Sequence, residues 1–312
     1  MNNTQWQLIS FIGADANKFL QGQIPVNLEQ LTAQQSTYSC VTLHTGKVIG
    51  TFRLFKLDEQ NIHLLVYGVE QANRILAHFK KYAVFSKVTI TLSTASIHFY
   101  NENLPAEFMS LDSNNFIVHT DYCLSFGISF NNLDSSAFSK LAFTNEDAKV
   151  LNDQQVLALT TALGFVYDLK AEYVDTVLPQ ALGIDLLEQA ISFKKGCYQG
   201  QEGIARAKYR GTNPNSQQLF TLDTQKLEEA QQAQLHVRLD VEAEKASGKL
   251  LAVVDVANLT LPDNLAQALK DKTLVASTII TNKLPANEYQ YFIQADTNTY
   301  NLQAYTLNTQ DN

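Results

Sequence analysis

Short strands alternate with helical stretches at the start of the chain, and this alternation is the feature that most constrains the fold. Residues 69–82 form one helical stretch, and Asp15 is the expected cap of a shorter helix over 16–23. Thr45-Gly46-Lys47 predicts a β-hairpin with glycine in its turn. The strand-like runs are residues 6–12, 38–43, 48–57, 62–67 and 87–92. Because strands are interleaved with helices and hairpins, the pattern predicts an α+β fold.

A second succession of strands and helices begins after this unit and has a similar size. Its strand-like runs are residues 97–100, 116–118 and 124–130. Helices are predicted over residues 135–142 and 154–163, and the second one ends before Gly164, as expected for a C-terminal glycine. We therefore expect a second α+β unit.

After Pro214 the pattern changes to strands alone, which predicts an all-β C-terminal domain in the form of a small barrel. The predicted strands are residues 218–222, 234–239, 248–256, 273–278 and 289–293. A chain of 312 residues is also longer than one hydrophobic core usually serves. The expected division is a first α+β unit over 1–93, a second over 94–190, a loop returning to the first unit over 191–214, and the barrel over 215–312.

Composition excludes several classes of protein. The net charge of -8 argues against nucleic-acid binding by the whole surface, so any RNA contact must be local. The apolar runs are shorter than the roughly 20 residues of a membrane-spanning helix, and the N-terminal residues do not resemble a signal peptide. The widely spaced Cys40, Cys123 and Cys197 indicate no disulfide framework, and no metal site is predicted. We expect a cytoplasmic protein that does not contact the membrane.

Cations, glycines and a thiol are concentrated in residues 193–211, called here the 193–211 segment. Four of the 13 glycines lie in it, and it contains five cations but a single acid, Glu202. The cations are Lys194, Lys195, Arg206, Lys208 and Arg210. Because glycine permits close backbone approach and the local charge opposes that of the chain, the segment is interpreted as a loop that binds an anion.

Cys197 is the candidate reactive group of this segment. Neighbouring cations favour its thiolate, which is the nucleophilic form, but a buried structural cysteine is an equally good interpretation. Gln201 and Glu202 carry groups that can bind the edge of a heterocycle, and Tyr198 can stack on one. The alternative for Glu202 is an ion pair with Lys195 or Arg206.

A second stretch of positive charge covers residues 78–87, which contain Lys80, Lys81 and Lys87 and no acid. It can face the same cleft as the 193–211 segment. The simpler interpretation assigns Lys80 and Lys81 to the cationic last turn of the helix, where they interact favourably with its dipole.

Three stretches of the chain resemble one known family. Residues 192–202 and 205–211, with the sequences SFKKGCYQGQE and ARAKYRG, are similar to the signature of the YgfZ-type folate-binding proteins. The stretches GAD with KFLQGQ, at 13–23, and KKYAVFSKVTI, at 80–90, agree with the same family. The resemblance covers most of residues 6–211.

The resemblance implies a three-domain ring related to the aminomethyltransferase (T-protein) of the glycine cleavage system, with a tetrahydrofolate pocket at its centre. It further implies support of iron–sulfur cluster assembly or repair, and through iron–sulfur enzymes the methylthiolation of tRNA. The residues expected to contact the folate are Trp6, Lys195, Tyr198, Gln201, Glu202 and Arg206. Partners would be iron–sulfur enzymes or assembly proteins, with tRNA contact indirect or local.

The sequence departs from these families at three positions. Gly50-Thr51 follows the turn after which T-proteins carry an Asp pair, so the acid for aminomethyl transfer is missing. Val156 aligns with a second tryptophan of the folate site, and Ala162 aligns with a glutamate. The departures predict a non-catalytic protein with weak or rearranged folate binding. The alternatives are a folate-dependent one-carbon transferase that uses another acid, and a module that binds RNA directly.

Overall fold

The computed structural model describes residues 5–32, 35–100, 109–112, 115–119, 125–130, 151–187, 189–211, 214–238, 244–246, 248–259, 261–281 and 290–307. Within these ranges the protein combines two antiparallel sheets with short helices. The predicted α+β class is confirmed. The helix predicted over 135–142 lies outside the described residues.

The first sheet has eight strands in the order β2-β3-β4-β1-β5-β8-β7-β6, and every pairing is antiparallel. Its strands are β1 (Trp6–Ile12), β2 (Gln35–Thr42), β3 (Val48–Asp58), β4 (Asn61–Tyr67), β5 (Thr89–Tyr100), β6 (Met109–Asp112), β7 (Asn115–His119) and β8 (Ser125–Phe130). The first half of β5 pairs with β1 and its second half pairs with β8. One continuous strand therefore joins the two groups of strands recognised in the sequence.

The helices are α1 (Ala16–Gln21), α2 (Val69–Tyr82), α3 (Asp153–Ala162), α4 (Gln201–Arg210), α5 (Leu227–Gln231) and α6 (Asp263–Leu269). Single 3-10 turns occur at Ala171–Tyr173, Pro179–Leu182 and Ile184–Leu186. None of the helices among the described residues has the length and apolar character needed to cross a membrane.

Helices α2 and α3 form where their sequences direct. Helix α2 buries Ala72, Ile75 and Phe79, which recur every three or four residues and so lie on one face. Helix α3 begins with a capping box between Asn152 and Gln155 and is followed by Gly164, whose φ is 90°. Helix α2 was predicted with these bounds, and α3 was predicted to within one residue.

The core has two layers around the first sheet, because β1 is buried on both faces. Trp6 and Leu8 belong to the layer that includes α3 and extends to the second sheet. Ile9 and Phe11 point the other way, toward the layer that includes α1 and α2. The alternation of side chains along one strand thus divides two cores, and Trp6 lies in the one that includes α3.

The second sheet is a nearly closed antiparallel barrel in the order β11-β10-β14-β15-β9-β13-β12. Its strands are β9 (Asn215–Leu222), β10 (Gln234–Arg238), β11 (Glu244–Ala246), β12 (Gly248–Asp255), β13 (Leu274–Thr281), β14 (Gln290–Ala295) and β15 (Asn298–Tyr305). The prediction of strands alone was wrong in two respects. The domain also contains α5 and α6, and β11 and β15 were not among the predicted strands.

The interpretation of residues 193–211 as a loop was also wrong for its second half, which forms α4. Gly200, with φ of 84°, precedes the helix, and Ile204 and Ala207 form its buried face. Glu202 and Arg206 pair one turn apart on the exposed face. Two of the glycines that suggested a loop, Gly200 and Gly211, are therefore the residues that cap this helix.

Candidate functional site

Lys195 fastens the 193–211 segment to the turn that follows α1. Its ammonium Nζ donates to the backbone carbonyl oxygens of Gln21 at 2.5 Å, Ile24 at 2.9 Å and Val26 at 2.7 Å. The residue is only 8% exposed, and burial lowers its pKa to about 7 although Glu29 acts in the opposite direction. These contacts use all three donors of an ammonium group. Contact between Lys195 and a folate stays a prediction, and it requires at least one carbonyl to be released.

Backbone hydrogen bonds reinforce this attachment on both sides of Lys195. Ser192 N donates to Pro25 O at 2.9 Å, and Gln199 N donates to Gly22 O at 3.1 Å. The hydroxyl of Thr42, at the end of β2, donates to Gln199 O at 3.0 Å. The segment is thus bound to α1, to the turn after it and to the first sheet.

The start of α4 packs against the β2–β3 hairpin at backbone distance. A Cβ atom at Gly203 would lie 2.1 Å from Thr45 O, and one at Gly200 would lie 2.4 Å from Thr42 Oγ1. Gly46 in the hairpin turn faces Gly200 and Gly203 from the other side. Since no side chain fits between these backbones, Gly200 and Gly203 serve close packing.

The three stretches that carried the family resemblance meet in this region. Asp15 Oδ2 accepts from Lys87 N at 2.6 Å, which fastens the α2–β5 loop to the start of α1. This contact replaces the predicted side-chain cap, because Asp15 makes no such bond to α1. Gln199 Nε2 donates to Tyr82 Oη at 3.2 Å and so joins the end of α2 to the 193–211 segment.

The predicted site residues of the segment divide into a buried and an exposed group. Tyr198 is buried next to Lys195, whose Nζ lies 5.0 Å from its ring centroid, and burial raises the pKa of its hydroxyl. Cys197 is a free, exposed thiol. Arg206 Nη2 and Glu202 Oε1 form an exposed ion pair at 2.5 Å, and Gln201 is half-buried. The alternative interpretation of Glu202, as the partner of Arg206 in an ion pair, agrees with this contact.

Trp6 lies in the interior within a cluster of aromatic rings. It is 1% exposed, and its ring centroid lies 5.0 Å from that of Tyr67 and 5.2 Å from that of Tyr167. Val156 and Ala162, the two positions that depart from the folate site, belong to the same core layer. The structure therefore brings together the positions compared with the folate pocket and fills them with packed side chains.

Arg53 is a notable member of this interior that the sequence reasoning missed. It is fully buried in β3, where Nε donates to Tyr167 Oη at 3.2 Å and Nη1 donates to Ser36 Oγ at 3.0 Å. Its guanidinium also lies 5.7 Å from the centroid of Phe165. The available signal was a lone arginine between the apolar residues of a strand, where buried charge is rare without partners.

A side chain at the position of the missing acid would have to displace Ile75. A Cβ atom at Gly50 would lie 2.6 Å from Ile75 Cδ1. Thr51 is buried and donates its hydroxyl to Val166 O at 2.6 Å. Nor do three His, Cys, Asp or Glu side chains gather as metal ligands anywhere in the described part of the chain.

Comparison with solved structures defines the class of fold. The crystal structure of the glycine cleavage system aminomethyltransferase T from Bartonella henselae matches with a TM-score of 0.70 at 16% identity, covering 98% of this chain and 84% of that one. The protein thus has the aminomethyltransferase T fold, as the sequence resemblance predicted. No protein-family model matches the chain.

Curated relatives then identify the family. The tRNA-modifying protein YgfZ of Aliivibrio fischeri is 30% identical over 230 residues, or 69% of each chain. The protein of the same name from Escherichia coli O157:H7 is 28% identical over 326 residues, covering 96% of this chain and 90% of the relative. An uncharacterized protein from Haemophilus influenzae is 32% identical over 256 residues, covering 82% and 83%. The chain belongs to the YgfZ family, which confirms the resemblance seen in the sequence.

Proposed function

We propose that this protein is a cytoplasmic, folate-binding accessory factor in tRNA modification, which supports the iron–sulfur enzymes that methylthiolate tRNA. The observation that carries the proposal is the set of hydrogen bonds that attach the 193–211 segment to the rest of the fold. The segment that resembles the family signature is joined to α1, to the β2–β3 hairpin and to α2, so the stretches that carry the resemblance form one unit. Relatives of the chain are named for tRNA modification. At the exposed surface of this unit stands Cys197.

A supporting rather than catalytic role is favoured by the surroundings of Gly50. An aminomethyl transferase needs a group that handles protons at the reacting nitrogen. Here Ile75 occupies the space that a side chain at Gly50 would need, and the adjacent Thr51 is engaged with Val166 O. The T-protein fold is therefore retained without the acid at the compared position.

The residues proposed for folate fit the ligand only in part. Gln201, Glu202 and Arg206 offer amide, carboxylate and guanidinium groups at accessible positions, which suit a pterin edge and an anionic tail. Trp6 is packed against aromatic rings in the interior. Lys195 already donates to three backbone carbonyls. For a folate to reach Trp6, the ring of Tyr67 or Tyr167 must move away from it.

Folate binding is tested by titrating the purified protein with tetrahydrofolate while the fluorescence of Trp6 is recorded. Trp6 is the only tryptophan in the chain, so its signal is unambiguous. Quenching that saturates, and that is weakened in a Glu202→Gln, Arg206→Gln double variant, supports the folate site. Unchanged fluorescence together with no heat of binding by calorimetry would exclude it.

The accessory role is tested in a strain that lacks the gene. Methylthiolated nucleosides in bulk tRNA should fall relative to wild type, as should the activity of an iron–sulfur enzyme, and plasmid-borne wild-type protein should restore both. The Cys197→Ala variant should restore them poorly, whereas Leu186→Ala, a change at an exposed residue outside the segment, should restore them fully. Normal levels of both in the deletion strain would contradict the proposal.

A one-carbon transferase remains the second candidate because the fold matches aminomethyltransferase T with a TM-score of 0.70. The purified protein should then consume a methylamine-type donor in the presence of tetrahydrofolate. We expect no turnover, because the acid position is Gly50.

A further inference from the structure

The loop between α2 and β5, residues 83–88, presents an unusual set of exposed hydrophobic side chains. Phe85 is 99% exposed and Val84 is 72% exposed. Tyr82 at the end of α2 and Ile12 at the end of β1 are exposed as well, and Ile12 lies in register with the first residue of β5. Large apolar groups that are exposed together mark a binding surface, whereas apolar residues exposed singly are normal.

The loop is held in a defined conformation. Asp15 accepts from Lys87 N at 2.6 Å, and its own N–H donates to Lys87 O at 3.2 Å. Within the loop, Ser86 N donates to Ala83 O at 2.9 Å. Gly13 packs so closely that a Cβ atom there would lie 2.4 Å from Lys87 O. Phe85 is therefore presented by an anchored turn, which limits the ordering entropy lost on binding.

Lysines precede and follow the exposed rings in the chain. Lys80, Lys81 and Lys87 are all exposed, and residues 78–87 contain no acid in a chain whose net charge is -8. Lys81 Nζ lies 5.5 Å from the ring centroid of Tyr82. The carboxylate of Asp15 accepts from the backbone N–H of Lys87 and places one negative charge beside this lysine. Lysine is depleted in protein–protein interfaces, whereas aromatic rings among cations are typical of single-stranded nucleic-acid sites.

The loop adjoins the 193–211 segment. Gln199 Nε2 reaches Tyr82 Oη at 3.2 Å, and Lys194 and Cys197, close to Gln199 in the chain, are exposed. A molecule bound on the loop would therefore lie beside the segment that carries the family signature.

We propose that Lys80, Lys81, Tyr82, Phe85 and Lys87 form an RNA-binding surface for an unpaired stretch of nucleotides. Bases stack on Phe85 and Tyr82, and the lysines contact the flanking phosphates. Unpaired RNA is specified because the faces of bases in a duplex are already covered by their neighbours. The inference rests on the proposed function for the choice of RNA, and it adds direct contact with the nucleic acid to that function.

The test measures fluorescence anisotropy of a labelled RNA stem–loop, and of the same RNA fully paired with its complement, against the whole purified chain. Wild type should bind the stem–loop more tightly than the duplex. Phe85→Ala should weaken stem–loop binding about 5- to 150-fold, the loss expected for one stacked base. Lys80→Ala with Lys81→Ala should flatten the dependence of affinity on salt, because fewer counterions are released. Leu186→Ala is the matched control, since Leu186 is 81% exposed and lies outside this loop.

Equal affinity of wild type and Phe85→Ala for the stem–loop would overturn the inference. So would a Phe85-dependent attachment to anionic lipid vesicles or to an iron–sulfur enzyme in the absence of RNA affinity. The deletion strain separates this failure from failure of the proposed function. If deletion lowers methylthiolation and Phe85→Ala binds RNA normally, only the surface assignment fails. If deletion leaves methylthiolation unchanged, the accessory function fails, while Phe85-dependent RNA binding still supports the surface.

Discussion

Replacing Lys195 with methionine tests whether this lysine holds the fold together or binds a ligand. Methionine retains the apolar stem but removes the ammonium that donates to the carbonyls of Gln21, Ile24 and Val26. Each buried carbonyl left without a donor costs about 1–3 kcal/mol, or roughly 3–9 kcal/mol for the set.

The loss is offset by relief of the desolvated charge. Burial lowers the pKa of Lys195 from 10.5 to about 7, which corresponds to about 5 kcal/mol of cost for keeping the ammonium in the fold. The two contributions are of similar size, so we expect Lys195→Met to reduce the free energy of unfolding by about 2 kcal/mol. The cost of the unpaired carbonyls is the larger contribution, because the side chain is only 8% exposed and water cannot replace all three hydrogen bonds.

Native-state hydrogen exchange is the suitable assay because the change is local. The amides of Ser192 and Gln199 donate to Pro25 O and Gly22 O, next to the carbonyls that bind Lys195. Both amides should exchange about 30-fold faster in Lys195→Met. Lys194→Met, at the exposed neighbouring position, should leave both amides protected. If Lys195→Met keeps wild-type protection but loses folate binding, Lys195 is a ligand and the structural reasoning is refuted.

Three further changes have definite expectations. Gly203→Ala should cost more than about 3 kcal/mol in thermal unfolding, because its Cβ would lie 2.1 Å from a backbone oxygen, whereas Gly196→Ala, with open space around it, should be neutral. Gly50→Asp should lower soluble yield and stability without creating aminomethyl transfer, and measurable turnover would show that this reasoning is wrong. His63 is buried with a pKa lowered to about 4, so the folded state binds fewer protons than the unfolded state below pH 6.5. Stability should fall by up to about 3 kcal/mol as the pH drops from 6.5 to 4, and urea titrations of His63→Gln should show a shallower decline.

The family and most regular elements followed from sequence alone because both depend on local pattern. The apolar spacing of residues 69–82 defines α2, and short, largely apolar runs indicate β1 and β3. The residues of the 193–211 segment resemble the family signature whatever their conformation. Strand β15 was missed although Tyr300 and Leu302 alternate with polar residues along it.

Only the tertiary structure decided what the charged and glycine residues of that segment do. Lys195 was predicted to meet an anion because its sequence neighbours are cations, but its actual partners are carbonyls from the turn after α1. Gly200 and Gly203 were assigned to a loop, yet they allow α4 to touch the β2–β3 hairpin. The exposure of Phe85 could not be predicted from the sequence either, because an apolar residue is expected to be buried. Composition records which groups a chain owns, whereas contacts between distant residues determine which of those groups remain available to a ligand.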